Sequence, residues 1–176
     1  FIVNRFNNTI LLAAGYDGTL QLISQEGKIL VDRKISDRNC TFLEYNNKLQ
    51  QIIASFANGE ILFLNPETLE IITRLKGHQT EVHSVLLSED YKKVFSSSLD
   101  NTIKVWDYEK STLLSTLSVL DGKEWVIIHE DGLFDASPQA MKEIYYVVND
   151  ATDMDEPWKI IELEQQGGDL FFGERS

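Results

Sequence analysis

Residues 77–107 read GHQTEVHSVLLSEDYKKVFSSSLDNTIKVWD, and their pattern decides the fold. Gly77-His78 opens the stretch and Trp106-Asp107 closes it. Val82, Val85 and Leu87 fall in a first alternating run, Val94, Phe95 and Ser96 in a second, and Ile103, Val105 and Trp106 in a third. β-Branched and aromatic residues at alternate positions suit a pleated surface with one face in a core. Asp100-Asn101 separates the last two runs, and such a pair tolerates the positive φ of a tight hairpin. The stretch predicts three consecutive antiparallel strands.

The same arrangement recurs along the chain. ILLAAG and TLQLIS flank Tyr16-Asp17-Gly18-Thr19, and QIIASF and EILFLN flank Ala57-Asn58-Gly59-Glu60. Asp17, Asn58 and Asp100 lie 41 and 42 positions apart, which is the period of a four-stranded propeller blade. The position of Trp106 is taken by Ile23 and Leu64 in the two earlier repeats, and that of Ser96 by Ala13 and Ala54. A fourth repeat starts at EWVIIHEDGLFDAS, with Asp131 under Asp90, Ser137 under Ser96 and a turn at Asp131-Gly132. MKEIYYVV then supplies a strand and Trp158–Leu163 a weaker one.

With its Gly-His opening and Trp-Asp close, the 77–107 unit resembles the WD-repeat family. The resemblance implies an all-β fold, a β-propeller of about four WD-type four-stranded blades that form part of a larger seven- or eight-bladed ring. It also implies that His78, Ser96, Asp100 and Trp106 form the family's buried structural hydrogen-bond chain. Degenerate blades are expected at 1–36 and 37–76, the WD-repeat blade at 77–120, a closing blade at 121–165 and a tail at 166–176. Residues 124–148 resemble the closing blade of bacterial WD-repeat proteins, some of which carry a caspase-like effector domain. Seven blades need about 290 residues. Three completions are open: a longer protein of which this is the C-terminal part, two copies closing one ring, or a compact four-blade ring. The first is favoured, because Phe1 begins inside a strand. An open arc would expose the apolar faces of its end blades.

Composition narrows the function classes. The chain has 176 residues, 43% of them apolar, enough for a sizeable core. No apolar run approaches a membrane span, and no N-terminal secretion signal is present. Cys40 is the single cysteine, expected as a small buried hydrophobe in a first strand, so a reducing, cytoplasmic setting is expected. The sequons at Asn7 and Asn39 would then be idle. The net charge is −12, with residues 121–176 holding 14 acidic against 4 basic side chains. That argues against binding a nucleic-acid backbone and permits a basic protein partner. Residues 149–156, NDATDMDE, lack the central glycine of a calcium loop, and His78, His83 and His129 lack metal-ligand spacing. Neither a cofactor nor a metal is expected. Phe95 and Phe134 occupy equivalent strand positions and are expected in the core.

A Ser-His-Asp nucleophile system is the sharp alternative for Ser96, His78 and Asp100. It is disfavoured because each residue has a structural role at its blade position and no G-x-S-x-G elbow exists. An active site at the central channel would need acidic or imidazole groups on the inner strands, which are mainly Phe, Leu, Val and Ser. The sequence therefore reads as a non-catalytic protein-protein interaction scaffold, not an enzyme. The alternative is a regulatory or sensor domain of a bacterial multidomain effector. Candidate partner-binding residues are Gln79 and Thr80 beside the Gly-His pair, with Arg74, Lys76 and Tyr108. Partners expected are proteins, with neither nucleic acid nor membrane, together with self-association or the rest of a longer chain to close the ring.

Overall fold

The computed structural model describes residues 3–6, 10–120, 122–149 and 158–162. The acidic run 150–157, the sequon at Asn7 and the tail from 163 onward lie outside the described residues. The chain divides into two compact units, Phe1–Thr116 and Leu117–Ser176.

The first unit consists of successive antiparallel sheets with strands in chain order. β1 (Val3–Phe6), β2 (Ile10–Ala14), β3 (Thr19–Ser24) and β4 (Ile29–Lys34) make the first. β5 (Cys40–Asn46), β6 (Gln51–Phe56), β7 (Ile61–Leu64) and β8 (Ile71–Leu75) make the second. β9 (Val82–Leu87), β10 (Lys93–Ser98) and β11 (Thr102–Asp107) follow, with β12 (Thr112–Leu120) beside β11 and running across the division. An up-and-down order of this kind needs only short hairpins, and the chain places its turn residues accordingly. Gly18, Gly59 and Asn101 adopt positive φ at matching places, as do Gly27, Leu69 and Ser111, and Gln50, Tyr91 and Gly132. Each trio is spaced by 41 or 42 residues, so the backbone repeats even where the side chains have drifted.

Registers fix which face each side chain takes, because a strand alternates its faces. In the first sheet Leu12 pairs with Leu22, and Ala14 with Leu20. In the second, Ile52 pairs with Leu64 and Ala54 with Leu62. These residues, with Leu43, Tyr45 and Phe56, form one buried cluster between the two sheets. The opposite face of the second sheet carries Ile53, Ile61, Phe63 and Leu75, which meet Val82, Val85, Val94 and Trp106 in a second cluster. Every element of the second sheet's β7 is therefore buried, while β3 and β11 bury alternate residues. Cys40 is half-buried in β5, its thiol beside the Phe42 carbonyl at 3.1 Å and pushed up to about 12 by burial.

In the second unit, β13 (Glu124–His129) pairs with β14 (Phe134–Ala136) around the Asp131-Gly132 turn. Trp125 and Ser137 exchange hydrogen bonds, from the Ser137 N–H to the Trp125 carbonyl at 3.0 Å and from the Trp125 N–H to Ser137 Oγ at 3.2 Å. A short 3-10 turn at Ala140–Lys142 follows. β15 (Tyr145–Asn149) then pairs with β16 (Trp158–Glu162) as a two-stranded sheet of its own.

One core expectation is overturned. Phe95 is 37% exposed, because its face of β10 has no neighbouring sheet of the first unit over it.

Candidate functional site

The loop between β8 and β9 carries Gly77, His78, Gln79 and Thr80, and a buried polar chain fixes it in place. Trp106 can only donate, and its indole N–H reaches Ser96 Oγ at 2.8 Å. Ser96 Oγ lies 2.7 Å from His78 Nε2, so its own proton points to that ring nitrogen. His78 is then the neutral Nδ1–H tautomer, and Nδ1 donates to Asp100 Oδ2 at 2.9 Å. The same Asp100 oxygen accepts the Gln79 N–H at 2.9 Å, and its other oxygen accepts the Thr102 N–H at 3.0 Å. Strands β10 and β11 supply Ser96 and Trp106, and the turn between them supplies Asp100.

The charge states follow from the surroundings. Burial pulls the His78 imidazole below its ordinary value, and the attraction of Asp100 does not undo this. Burial pushes the Asp100 carboxyl up, but hydrogen bonds from Thr102, the Gln79 N–H and His78 outweigh it and hold the group well below the usual carboxylate range. Asp100 is thus an anion that ties the loop to the hairpin through three donors.

Ser96, His78 and Asp100 share the hydrogen-bond order of a hydrolytic triad. Ser96 is only 2% exposed, and its oxygen already accepts the Trp106 indole. A nucleophile must reach its substrate, and this oxygen is sealed inside a blade.

The candidate partner residues separate into two places. Arg74 and Lys76 both turn to the Glu60 carboxylate, with Nη1 at 2.6 Å and Nζ at 3.0 Å. Asn58 Nδ2 donates to the same group at 3.0 Å. Burial pushes the Glu60 carboxyl up, and these three donors outweigh it and bring it below its ordinary value. Gln79 and Thr80 are exposed next to this cluster, since the Gly59 turn lies directly against the His78 and Thr80 carbonyls. Asn58, Gly59, Glu60, Lys76, Gly77 and His78 line a hollow of about 270 Å³ there. Tyr108 sits at the other end of β11. Its hydroxyl donates to Gln51 Oε1 at 2.7 Å, and its ring meets Phe63 edge-on at 5.0 Å. Tyr108 is a half-buried packing residue and does not share a rim with the other four.

Two members of this region are not prominent in the sequence. Glu60 follows a hairpin turn like any polar residue, and only the return of β8 reveals that two cations reach it. Lys104 occupies the place of Leu62 and Gln21, is 8% exposed, and donates from Nζ to Thr116 Oγ1 at 2.9 Å. Among the described residues no three His, Cys, Asp or Glu side chains gather as a metal set. No helix among them is long and apolar enough to cross a membrane.

Comparison with known proteins agrees with this geometry. The family described as "WD domain, G-beta repeat" matches residues 69–107. The C-terminal WD40 domain of Sif2 superposes with a TM-score of 0.59 at 16% identity, covering 76% of this chain and 41% of that one. The WD40 beta propeller domain of Doa1 superposes with a TM-score of 0.56 at 17% identity, covering 75% and 47%. The chain belongs to the WD-repeat β-propeller family. Among curated WD-repeat relatives, Ribosome assembly protein 4 of Saccharomyces cerevisiae is 33% identical over 73 residues, 40% of this chain and 14% of the relative. The chain spans well under a third of the length of the curated relatives it matches. As a WD-repeat chain, its polar His78 network is the blade's internal frame, and the exposed loop on that frame is what it presents outward.

Proposed function

We propose that this WD-repeat chain is a non-catalytic protein-interaction scaffold in the cytoplasm, and that a protein partner docks on the rim formed by Arg74, Lys76, Gln79 and Thr80. The observation that carries this reading is the anchored β8–β9 loop. Asp100 holds the Gln79 N–H from beneath, so the exposed Gln79 and Thr80 side chains stand on a rigid base. A pre-ordered loop loses little conformational entropy on binding. Lys76 remains 64% exposed beside its carboxylate partner, which leaves a polar rim with one cation in excess of Glu60. We place the degenerate blades at 1–36 and 37–76, the WD-repeat blade at 77–120, the closing blade at 121–165 and the tail at 166–176.

Lys76→Glu and Thr80→Arg test the rim. Proteins co-purifying with the chain from its host cell are compared by quantitative mass spectrometry for the parent and each variant. A partner set lost in both variants, at an unchanged melting temperature, is expected. An unaltered partner set would remove this rim from consideration.

A second reading, a regulatory domain of a multidomain effector, draws on the W-V-x-x-x-x-D-G-x-F-D-A-S-P pattern from Trp125 to Pro138. The paired hydrogen bonds between Trp125 and Ser137 give that pattern a physical reason. An effector domain in the same reading frame as this chain would favour it over the scaffold alone.

A further inference from the structure

The first unit has two unmatched sheet faces, and they complement each other. Within it, each sheet offers one face backward and one forward. The forward faces are Leu12, Ala14, Leu20 and Leu22 in the first sheet, and Ile53, Ile61 and Phe63 in the second. By register the forward face of the third sheet is Phe95, Ser97, Ile103 and Val105, with Leu86 paired to Phe95. The first two forward faces are fully covered by the following sheet. On the third, Leu86 is 63%, Ile103 40% and Phe95 37% exposed.

The backward faces tell the same story from the other end. They are Ile52, Ala54, Leu62 and Leu64 in the second sheet, and Val94, Ser96 and Trp106 in the third. The corresponding residues of the first sheet are Leu11, Ala13, Gln21 and Ile23, and Leu11 is 37% exposed. Where the second sheet has Phe56 and Leu62, the first has Gly15 and Gln21, and there a hollow of about 480 Å³ opens between Gly15, Asp17, Thr19, Gln21, Asp32 and Lys34. The sizes match across the two open ends. The forward face carries a large Phe95 and Ile103, and the backward face has a small Ala13 and a Gly15 hollow at the corresponding heights. Inside the unit, Ile53, Ile61 and Phe63 meet Val94, Ser96 and Trp106 in the same large-against-small manner.

We propose that a second copy of this chain covers these faces, the Phe95–Ile103 face of each copy seating on the Leu11–Ile23 face of the other, so that two copies close head to tail. A contact between different faces makes a closed ring when the rotation completes a circle, and here two such junctions close it. The inference goes beyond the partner rim, which lies on a different edge and does not depend on it.

Light scattering on the purified chain at micromolar concentration tests it, with Phe95→Glu and Leu11→Glu as variants and melting temperature as the folding control. The expected result is twice the chain mass for the parent and the single-chain mass for each variant alone. An equimolar mixture of the two variants should recover a paired species, because one junction then has both of its faces intact. That recovery also shows that both variants are folded. A parent that stays single at all concentrations would overturn the proposal in favour of a cover from the polypeptide itself. A parent whose mass grows without limit, a dimer insensitive to both substitutions, or a mixture that stays single would overturn it as well.

Discussion

Ser96 Oγ stands between a donor and an acceptor, and this fixes what the neighbouring histidine must be. The indole N–H occupies one lone pair, so the hydroxyl proton goes to His78 Nε2 and the imidazole stays neutral. His78→Ala leaves Asp100 and Ser96 each short of a partner inside the blade. Stability should fall by about 1–3 kcal/mol, read from urea denaturation. The pH dependence carries the sign of the effect. The folded imidazole binds its proton less readily than the unfolded one, whose value is near 6.5. Its contribution is therefore complete above pH 6.5 and is lost as the pH falls below it. Asp100 acts in the same direction in stronger acid, below the ordinary carboxylate value of 3.8. The His78→Ala protein should show a flatter loss of stability just below pH 6.5 than the parent, and an equally steep one would contradict the neutral-histidine assignment. Lys104 presents the opposite case. Burial pulls its ammonium below the ordinary value, and a threonine hydroxyl is a weak partner for a buried cation. Lys104→Met should raise stability by on the order of 1 kcal/mol, seen as a higher melting temperature.

At the level of elements, turns rather than strands carry the repeat. Gly59 has φ +83, and a Cβ placed on it would lie 2.2 Å from the His78 carbonyl oxygen. Gly18 is pressed in the same way by the Ser36 and Arg38 carbonyls. Gly27 shares the backbone conformation, with φ +81, but has open space around it. A left-handed conformation costs a residue with a Cβ about 1–2 kcal/mol. Gly27→Ala should lose about that much, and Gly59→Ala clearly more, because the loop bearing His78 must move. Equal losses in denaturant titrations would mean that the loop yields without cost. These turns explain why the repeat was legible in the sequence. Asp17-Gly18, Asn58-Gly59 and Asp100-Asn101 mark hairpins whose chemistry is local. The His78 network was legible for the same reason, as four residue types at fixed places in one blade. Tyr108 and Phe95 were not. Where Tyr108 points depends on Gln51 and Phe63 in another sheet, and whether Phe95 is covered depends on what stands beyond the third sheet. Neither is encoded within forty residues of its own position.

Across the molecule, the first unit is stabilised as a line of neighbours, and its second sheet is the link. Leu22 belongs to the cluster between the first and second sheets, and Phe63 to the cluster between the second and third. In a stack of this kind each sheet gains stability from its immediate neighbours only. Leu22→Ala should cost about 2–5 kcal/mol, and Phe63→Ala about 3–5 kcal/mol, as buried truncations do. Their effects should spread differently. Leu22→Ala weakens the outer contact of the first sheet, so amides of β2 and β3 should exchange faster while those of β10 and β11 keep their protection. Phe63 lies in β7, whose four residues are all buried, with Leu62 and Leu64 on the first cluster and Ile61 and Phe63 on the second. Loosening β7 disturbs both neighbours at once, so Phe63→Ala should speed exchange on both sides of the second sheet. Native-state hydrogen exchange resolved by strand measures this directly. If Leu22→Ala opened β10 and β11 as much as β2 and β3, the unit would unfold as one block, and the polar frame around His78 would be no more independent of the first sheet than of its own blade.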